Sequence, residues 1–107
     1  MPILPLTEEN FEQEVLQAEG PVLVDLFAAW CGPCRALAPV LETLAEAPRP
    51  ELRIGKVDVD AQPELAARFD VLTVPTLLLF RSGRLLRRTT GAKTLTELEE
   101  FLRSGEA

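Results

Sequence analysis

Two cysteines, Cys31 and Cys34, stand three residues apart in a chain that contains no histidine. Without imidazole there is no Ser-His or Cys-His nucleophile pair and no four-ligand zinc site of the usual Cys/His kind. Chemistry must come from the thiols, the carboxylates or the backbone. Residues three apart at a helix start share one face at about 5 to 6 Å, the Cα separation that a disulfide prefers, so this pair can open and close without bending the chain. Cys31 precedes the first turn, where unpaired N–H groups and the helix dipole favour a thiolate. Cys34 lies one turn in. The placement predicts an exposed nucleophile at Cys31 and a covered, resolving thiol at Cys34.

Lowering a thiol pKa from about 8.5 to near ambient pH raises the thiolate fraction roughly fifteen-fold, and a Brønsted slope of about 0.4 to 0.5 takes back roughly five-fold in intrinsic nucleophilicity. The net gain in attack is only about threefold. The same change favours the thiolate by about 2 kcal/mol and weakens the disulfide against the dithiol by on the order of 45 mV. The helix end tunes redox poise more than speed.

A third group could carry chemistry. Asp25 is the one polar residue in the apolar run from Val22 to Ala28. A charged carboxylate costs several kcal/mol to desolvate there, so its pKa is expected to rise until the group can carry a proton near neutrality. The other reading is a buried ion pair with Lys56 and no part in the chemistry.

The elements that hold these residues follow from periodicity. Thr7, with Glu8 and Glu9 behind it, reads as the N-cap of a first helix bearing Phe11, Val15 and Ala18 and stopped by Gly20. Val22 to Ala28 reads as a central strand covered on both faces. From Cys34 the stripe Leu37, Leu41, Leu44 predicts a helix that Pro48 ends, with a kink at the internal Pro39. Leu52 to Asp60 reads as a strand, Pro63 to about Phe69 as a short helix, and Val74 to Phe80 as another strand turned back by Ser82-Gly83 into Leu85 to Thr89. Thr94 and Glu97 form a capping box for a last helix bearing Leu95, Leu98, Phe101 and Leu102. The order αβαβαββα implies an α/β sheet with parallel pairing, sandwiched between helices, and a hairpin at one edge.

The 107 residues suit one domain, and neither an internal repeat nor a Pro/Gly/Ser-rich linker divides them. A composition 47% hydrophobic and 26% charged argues against disorder. Eleven basic against seventeen acidic residues give a net charge of −6, which repels phosphate backbones and anionic membranes. The longest apolar stretch near the front, Pro21 to Trp30, is half of the roughly 20 residues a membrane span needs. The first basic residue is Arg35, so no secretory n-region is expected and the cytoplasm is the expected location.

With these residues in view, the chain resembles the thioredoxin family along nearly its whole length. The resemblance rests on Trp30-Cys31-Gly32-Pro33-Cys34, Val24-Asp25 upstream, Pro39, Lys56 and Val74-Pro75-Thr76. A lone C-x-x-C is weak evidence; this five-residue form at a strand-to-helix junction is specific. It implies a thioredoxin-like α/β fold, a central mixed β-sheet flanked by helices on both faces, formed by residues 1–107 as a single domain. The implied activity is that of a protein-disulfide reductase, an electron carrier in cell redox homeostasis.

The implied partners are disulfide-containing proteins and a flavoprotein thioredoxin reductase that uses a nicotinamide cofactor. The chain itself is expected to be a monomer with no cofactor, no metal, no nucleic acid and no membrane partner. Resemblance assigns Cys31 and Cys34 to the exchange, Asp25 to acid/base work on Cys34, and Gly32, Pro33 and Lys56 to the same site. It also implies a cis Val74–Pro75 bond facing the cysteines, the plainer alternative being a trans proline at a strand start. Trp30, Val59, Val74, Pro75, Gly91 and Ala92 would then form the surface on which extended disulfide segments dock.

Three residues depart from the family pattern: Phe27 where a second Trp is frequent, Thr73 where Gly is frequent, and Pro5 interrupting a first strand. Arg84, Arg87 and Arg88 cluster on the hairpin, read either as a solvated face or as a docking patch for the reductase. A reading of another class stays open, a non-catalytic binding module or holdase in which the cysteines are incidental.

Overall fold

The computed structural model describes residues 2–47, 49 and 51–104. Five strands form one mixed sheet: β1 (Ile3–Pro5), β2 (Pro21–Phe27), β3 (Arg53–Asp58), β4 (Thr76–Arg81) and β5 (Arg84–Thr90), in the order β1-β3-β2-β4-β5. β3 runs parallel to β1 and β2, whereas β4 is antiparallel to β2 and β5 to β4. Three α-helices accompany them: α1 (Gly32–Glu46), α2 (Pro63–Arg68) and α3 (Leu95–Ser104).

Alternation along β2 distributes the core between two layers. Val22, Val24 and Leu26 pack with Phe11, Val15, Leu65, Val57, Leu78 and Phe80, where Phe11, Phe69 and Phe80 meet at centroid distances of 5.4 to 5.8 Å. Leu23 faces the other way, into Leu37, Leu41, Leu44, Ile54, Leu77, Leu79, Leu98 and Phe101 of α1, α3 and the neighbouring strands. Asp25 shares the parity of Leu23, so its carboxyl is turned to the layer that α1 covers.

The start of the chain differs from its sequence reading. Ile3–Pro5 is a strand, too short to show a period, laid along the edge of β3. Pro5 does not interrupt it: proline closes an edge strand without removing a needed donor, and Leu6 resumes the ladder by donating to the Lys56 carbonyl at 2.8 Å. The first helix is a π-helical segment, Glu12–Leu16, in which the Gln17 N–H reaches back to the Glu12 carbonyl at 2.9 Å. Thr7 makes the capping bonds expected of it, one turn ahead of this segment, and its carbonyl accepts from the Phe11 N–H at 2.9 Å. Its hydroxyl accepts from the Asn10 N–H at 3.2 Å while Asn10 Oδ1 accepts from the Thr7 N–H at 2.7 Å, a reciprocal cap across the turn that carries Glu8 and Glu9.

Elsewhere the elements fall close to expectation. α1 begins at Gly32 and contains Pro39; its C-cap is Ala47, and Pro48, read as its end, lies outside the described residues. Ser82 and Gly83 both have positive φ, 50° and 79°, the backbone hand that a tight hairpin requires. Thr94 and Glu97 exchange the expected capping bonds at 2.9 and 3.1 Å. No described helix is long and apolar enough to cross a membrane.

Candidate active site

β2 ends at Phe27 and delivers the chain, three residues on, to Trp30 and Cys31 at the mouth of α1. Cys31 is the N-cap and Cys34 sits in the first turn. The two are joined as a disulfide with Cα atoms 5.2 Å apart. The Cys34 backbone N–H donates to Cys31 Sγ at 3.1 Å, so one of the orphan donors of the helix start is spent on the sulfur of Cys31. That bond strengthens when the sulfur becomes a thiolate.

One expectation is corrected here. Cys31 is not the exposed member of an exposed and covered pair: Cys31 is 4% exposed and Cys34 3%. Both are covered because Ala28, Phe27, Val59 and Val74 close around them from separate elements, which spacing along one helix cannot reveal. What distinguishes the sulfurs is hydrogen bonding. Cys31 Sγ accepts the helix N–H and also lies 3.5 Å from the Val74 carbonyl oxygen, to which a reduced Cys31 thiol can donate.

The Val74–Pro75 peptide bond is cis. Pro75 is buried, and its carbonyl accepts from the Gly91 N–H at 2.9 Å, which ties the start of β4 to the residue after β5. Gly91 has φ of +88°, a conformation that glycine adopts without strain. Thr76 donates its hydroxyl to the Thr73 carbonyl across this bend.

Around the disulfide, Trp30 is 68% exposed, with Nε1–H donating to Asp60 Oδ2 at 2.9 Å. Gly32, Pro33 and Ala92 are exposed, while Val59, Val74 and Gly91 are half-buried. A side chain at Gly32 would meet nothing within 4 Å, so glycine keeps that approach to the sulfurs low without being sterically required by the fold. Asp60 was not singled out from the sequence. The signal was a turn in which Asp58 Oδ1 accepts from the Asp60 and Ala61 N–H groups, which fixes the side chain that anchors Trp30.

Asp25 is fully buried, and neither oxygen has a hydrogen-bond partner among the described residues. Desolvation pushes its pKa from 3.8 up to about 6, against a smaller downward pull from Lys56. Lys56 is its register neighbour on β3. No ion pair joins them: Lys56 Nζ sits 4.5 Å over the Phe27 ring instead. The buried ion pair considered from sequence is therefore not formed, and the lysine acts on Asp25 only through its field. Lys56 also lines a groove with Ile3, Ala38, Glu42, Ala45 and Glu46, so its charge stays within reach of water.

A closable cysteine pair at a helix N-terminus, beside a cis-proline bend, defines a thiol–disulfide oxidoreductase on a thioredoxin-like α/β fold. Known proteins agree. The sequence model of the family described as Thioredoxin matches residues 2–104. The chain is 45% identical over 99 residues to the thioredoxin of Alicyclobacillus acidocaldarius subsp. acidocaldarius, covering 92% of this chain and 93% of that one. It is 46% identical over 90 residues to a thioredoxin of Mycobacterium tuberculosis, strain H37Rv, covering 84% of this chain and 78% of that one. Over 90 residues it is also 46% identical to a bifunctional thioredoxin reductase/thioredoxin of Mycobacterium leprae, strain TN, of which it spans 20%. The chain belongs to the thioredoxin family. Its cysteine pair is a redox-active centre, and the reading as a binding module with incidental cysteines is not favoured.

Proposed function

We propose that the protein reduces disulfides in other proteins by a two-step exchange, with Cys31 attacking and Cys34 resolving. The observation that carries the assignment is the bond from the Cys34 N–H to Cys31 Sγ, which stabilises negative charge on Cys31 alone. Cys31 thiolate attacks one substrate sulfur, forms a mixed disulfide and expels the other sulfur as a thiolate that takes a proton. Asp25 accepts the Cys34 proton. Cys34 thiolate then attacks Cys31 Sγ and expels the second substrate thiolate, leaving the substrate with two thiols and the protein with the Cys31–Cys34 disulfide. Two electrons have passed to the substrate.

Asp25 is suited to this because its pKa of about 6 lets it stand charged at neutral pH and still bind a proton. Lys56 assists by keeping that pKa from rising further, and Gly32 and Pro33 keep the rim beside the sulfurs narrow. Extended substrate lies across Trp30, Val59, Val74, Pro75, Gly91 and Ala92, with the Val74 backbone as its pairing partner.

Re-reduction comes from a flavoprotein thioredoxin reductase, a pairing supported by the relative that carries reductase and thioredoxin in its name. The chain works as one domain over residues 1–107, supported by a single sheet that collects all five described strands. We read it as a monomer, kept apart by its net charge of −6, and as cytoplasmic, where a reducing poise suits a dithiol donor.

Insulin reduction with dithiothreitol as electron source tests the exchange. The wild type is expected to accelerate it strongly and Cys31→Ser/Cys34→Ser not at all; equal rates would refute the reading.

A further inference from the structure

The basic hairpin lies outside the exchange site, and its charge is segregated. Residues 71–96 contain Arg81, Arg84, Arg87, Arg88 and Lys93 and not one acid, whereas the rest of the chain holds six basic residues against seventeen acidic ones. A chain of net charge −6 thus carries a pole of opposite sign. Its centre is β5, which among the described residues has β4 on one side and no strand on the other, leaving outward-turned N–H and C=O groups on either side of a register shift opposite Leu79 and Phe80.

The cations flank that open edge on both faces. Arg87 packs over the Phe101 ring of α3 at 5.2 Å, and Arg88 donates to the Phe69 and Asp70 carbonyls at 2.7 and 3.3 Å on the α2 side. Arg84 stands directly opposite Arg81 in the register. Like charges facing across a strand pair are destabilising. Among the described residues none of these four arginines makes an ion pair. Leu85 and Leu86 are each 39% exposed between them.

The edge also leads to the disulfide. β5 ends at Thr90, the next residue bonds to the Pro75 carbonyl, and the Val74 carbonyl lies 3.5 Å from Cys31 Sγ. We propose that the open edge of β5 docks an extended acidic segment of the partner protein and lays it toward the sulfurs, an inference that rests on the exchange reading above. Main-chain pairing supplies attachment, Arg81 and Arg84 select carboxylates, and Leu85 and Leu86 receive alternate apolar side chains. A protein segment fits better than a nucleic acid, because the open ladder and the leucines have no use for a phosphate backbone and the rest of the molecule repels one.

Two peptides carrying the same disulfide, one with an alternating Glu-Val arm of about eight residues and one with a Gln-Val arm, test the proposal by stopped-flow kcat/KM. The wild type is expected to prefer the acidic arm by about tenfold at low salt and to lose the preference near 0.5 M salt. Arg81→Glu/Arg84→Glu is expected to abolish or invert the ratio. Equal rates for the two arms, or a preference that survives the charge reversal, overturns docking while leaving exchange intact.

Titration with a cysteine-free Glu-Val arm, followed by amide shifts, reads docking apart from redox activity. Shifts confined to residues 84–91 and lost in the double variant support it, even if neither peptide disulfide is reduced and the exchange reading has failed. No shifts, shifts elsewhere, or larger shifts at the same amides from a single-stranded oligonucleotide of matched charge overturn it.

Discussion

Burial governs what Asp25 contributes. Its carboxyl titrates near 6 in the folded protein and near 3.8 when unfolded, so between about pH 4 and pH 6 the folded state binds the extra proton. The contribution of Asp25 to stability is accordingly most favourable below that window and falls as pH rises through it, by about 3 kcal/mol once the group is fully charged. Asp25→Ala removes the charged form. The variant is expected to be more stable than the wild type at pH 8, with an advantage that vanishes toward pH 4; urea melts at both pH values check this, and a difference independent of pH would contradict it. The same variant is expected to resolve the mixed disulfide more slowly at pH 7, within the 10²- to 10⁴-fold range of general-base effects, and to recover toward pH 9 as Cys34 loses its proton unaided. Stopped-flow Trp30 fluorescence reads both steps, and normal kinetics at pH 7 would remove Asp25 from the mechanism. Its buried, raised-pKa character was legible from one acid in an apolar run. The site of Lys56 Nζ was not, because the Phe27 ring that holds it becomes a neighbour only through strand pairing.

At the scale of elements, the readable parts were those with a strong period or a local bond. The capping box at Thr94 and Glu97, the stripe of α1 and the Ser82-Gly83 turn are short-range patterns, and the structure keeps them. β1 was missed because three residues carry no period and its partner lies some fifty positions away. The π-helical segment was taken for an ordinary helix, since one added residue per turn still presents Phe11 and Val15 to the core. The covering of Cys31 was missed for a related reason: Val59 and Val74 arrive from two other parts of the chain. The hairpin gives an element-scale prediction. A Cβ at Gly83 would lie 2.8 Å from the Leu16 carbonyl oxygen at a φ of +79°, so Gly83→Ala combines backbone strain with a collision. It is expected to cost about 2 kcal/mol by urea denaturation with insulin reduction unchanged at 25 °C, and a loss below about 0.5 kcal/mol would contradict the turn geometry.

For the molecule as a whole, alternating strands and helices predicted parallel pairing up to an edge hairpin, and the sheet departs from that at one seam: β1, β3 and β2 are parallel, but β4, which follows α2, is antiparallel to β2 as β5 is to β4. The order β1-β3-β2-β4-β5 puts β2 in the middle, so the disulfide, Asp25 and the cis-proline bend gather at one end of the central strand. The same order leaves β5 at the margin with its cations. The most direct test of the account is to trap the exchange halfway. In Cys34→Ser the attack by Cys31 survives and resolution does not, so incubation with a peptide disulfide is expected to accumulate a mixed disulfide that intact-mass spectrometry and peptide mapping locate on Cys31, while Cys31→Ser gives none. A stable adduct on Cys34 in Cys31→Ser, with no adduct in Cys34→Ser, would contradict the assignment of Cys31 as the attacking sulfur.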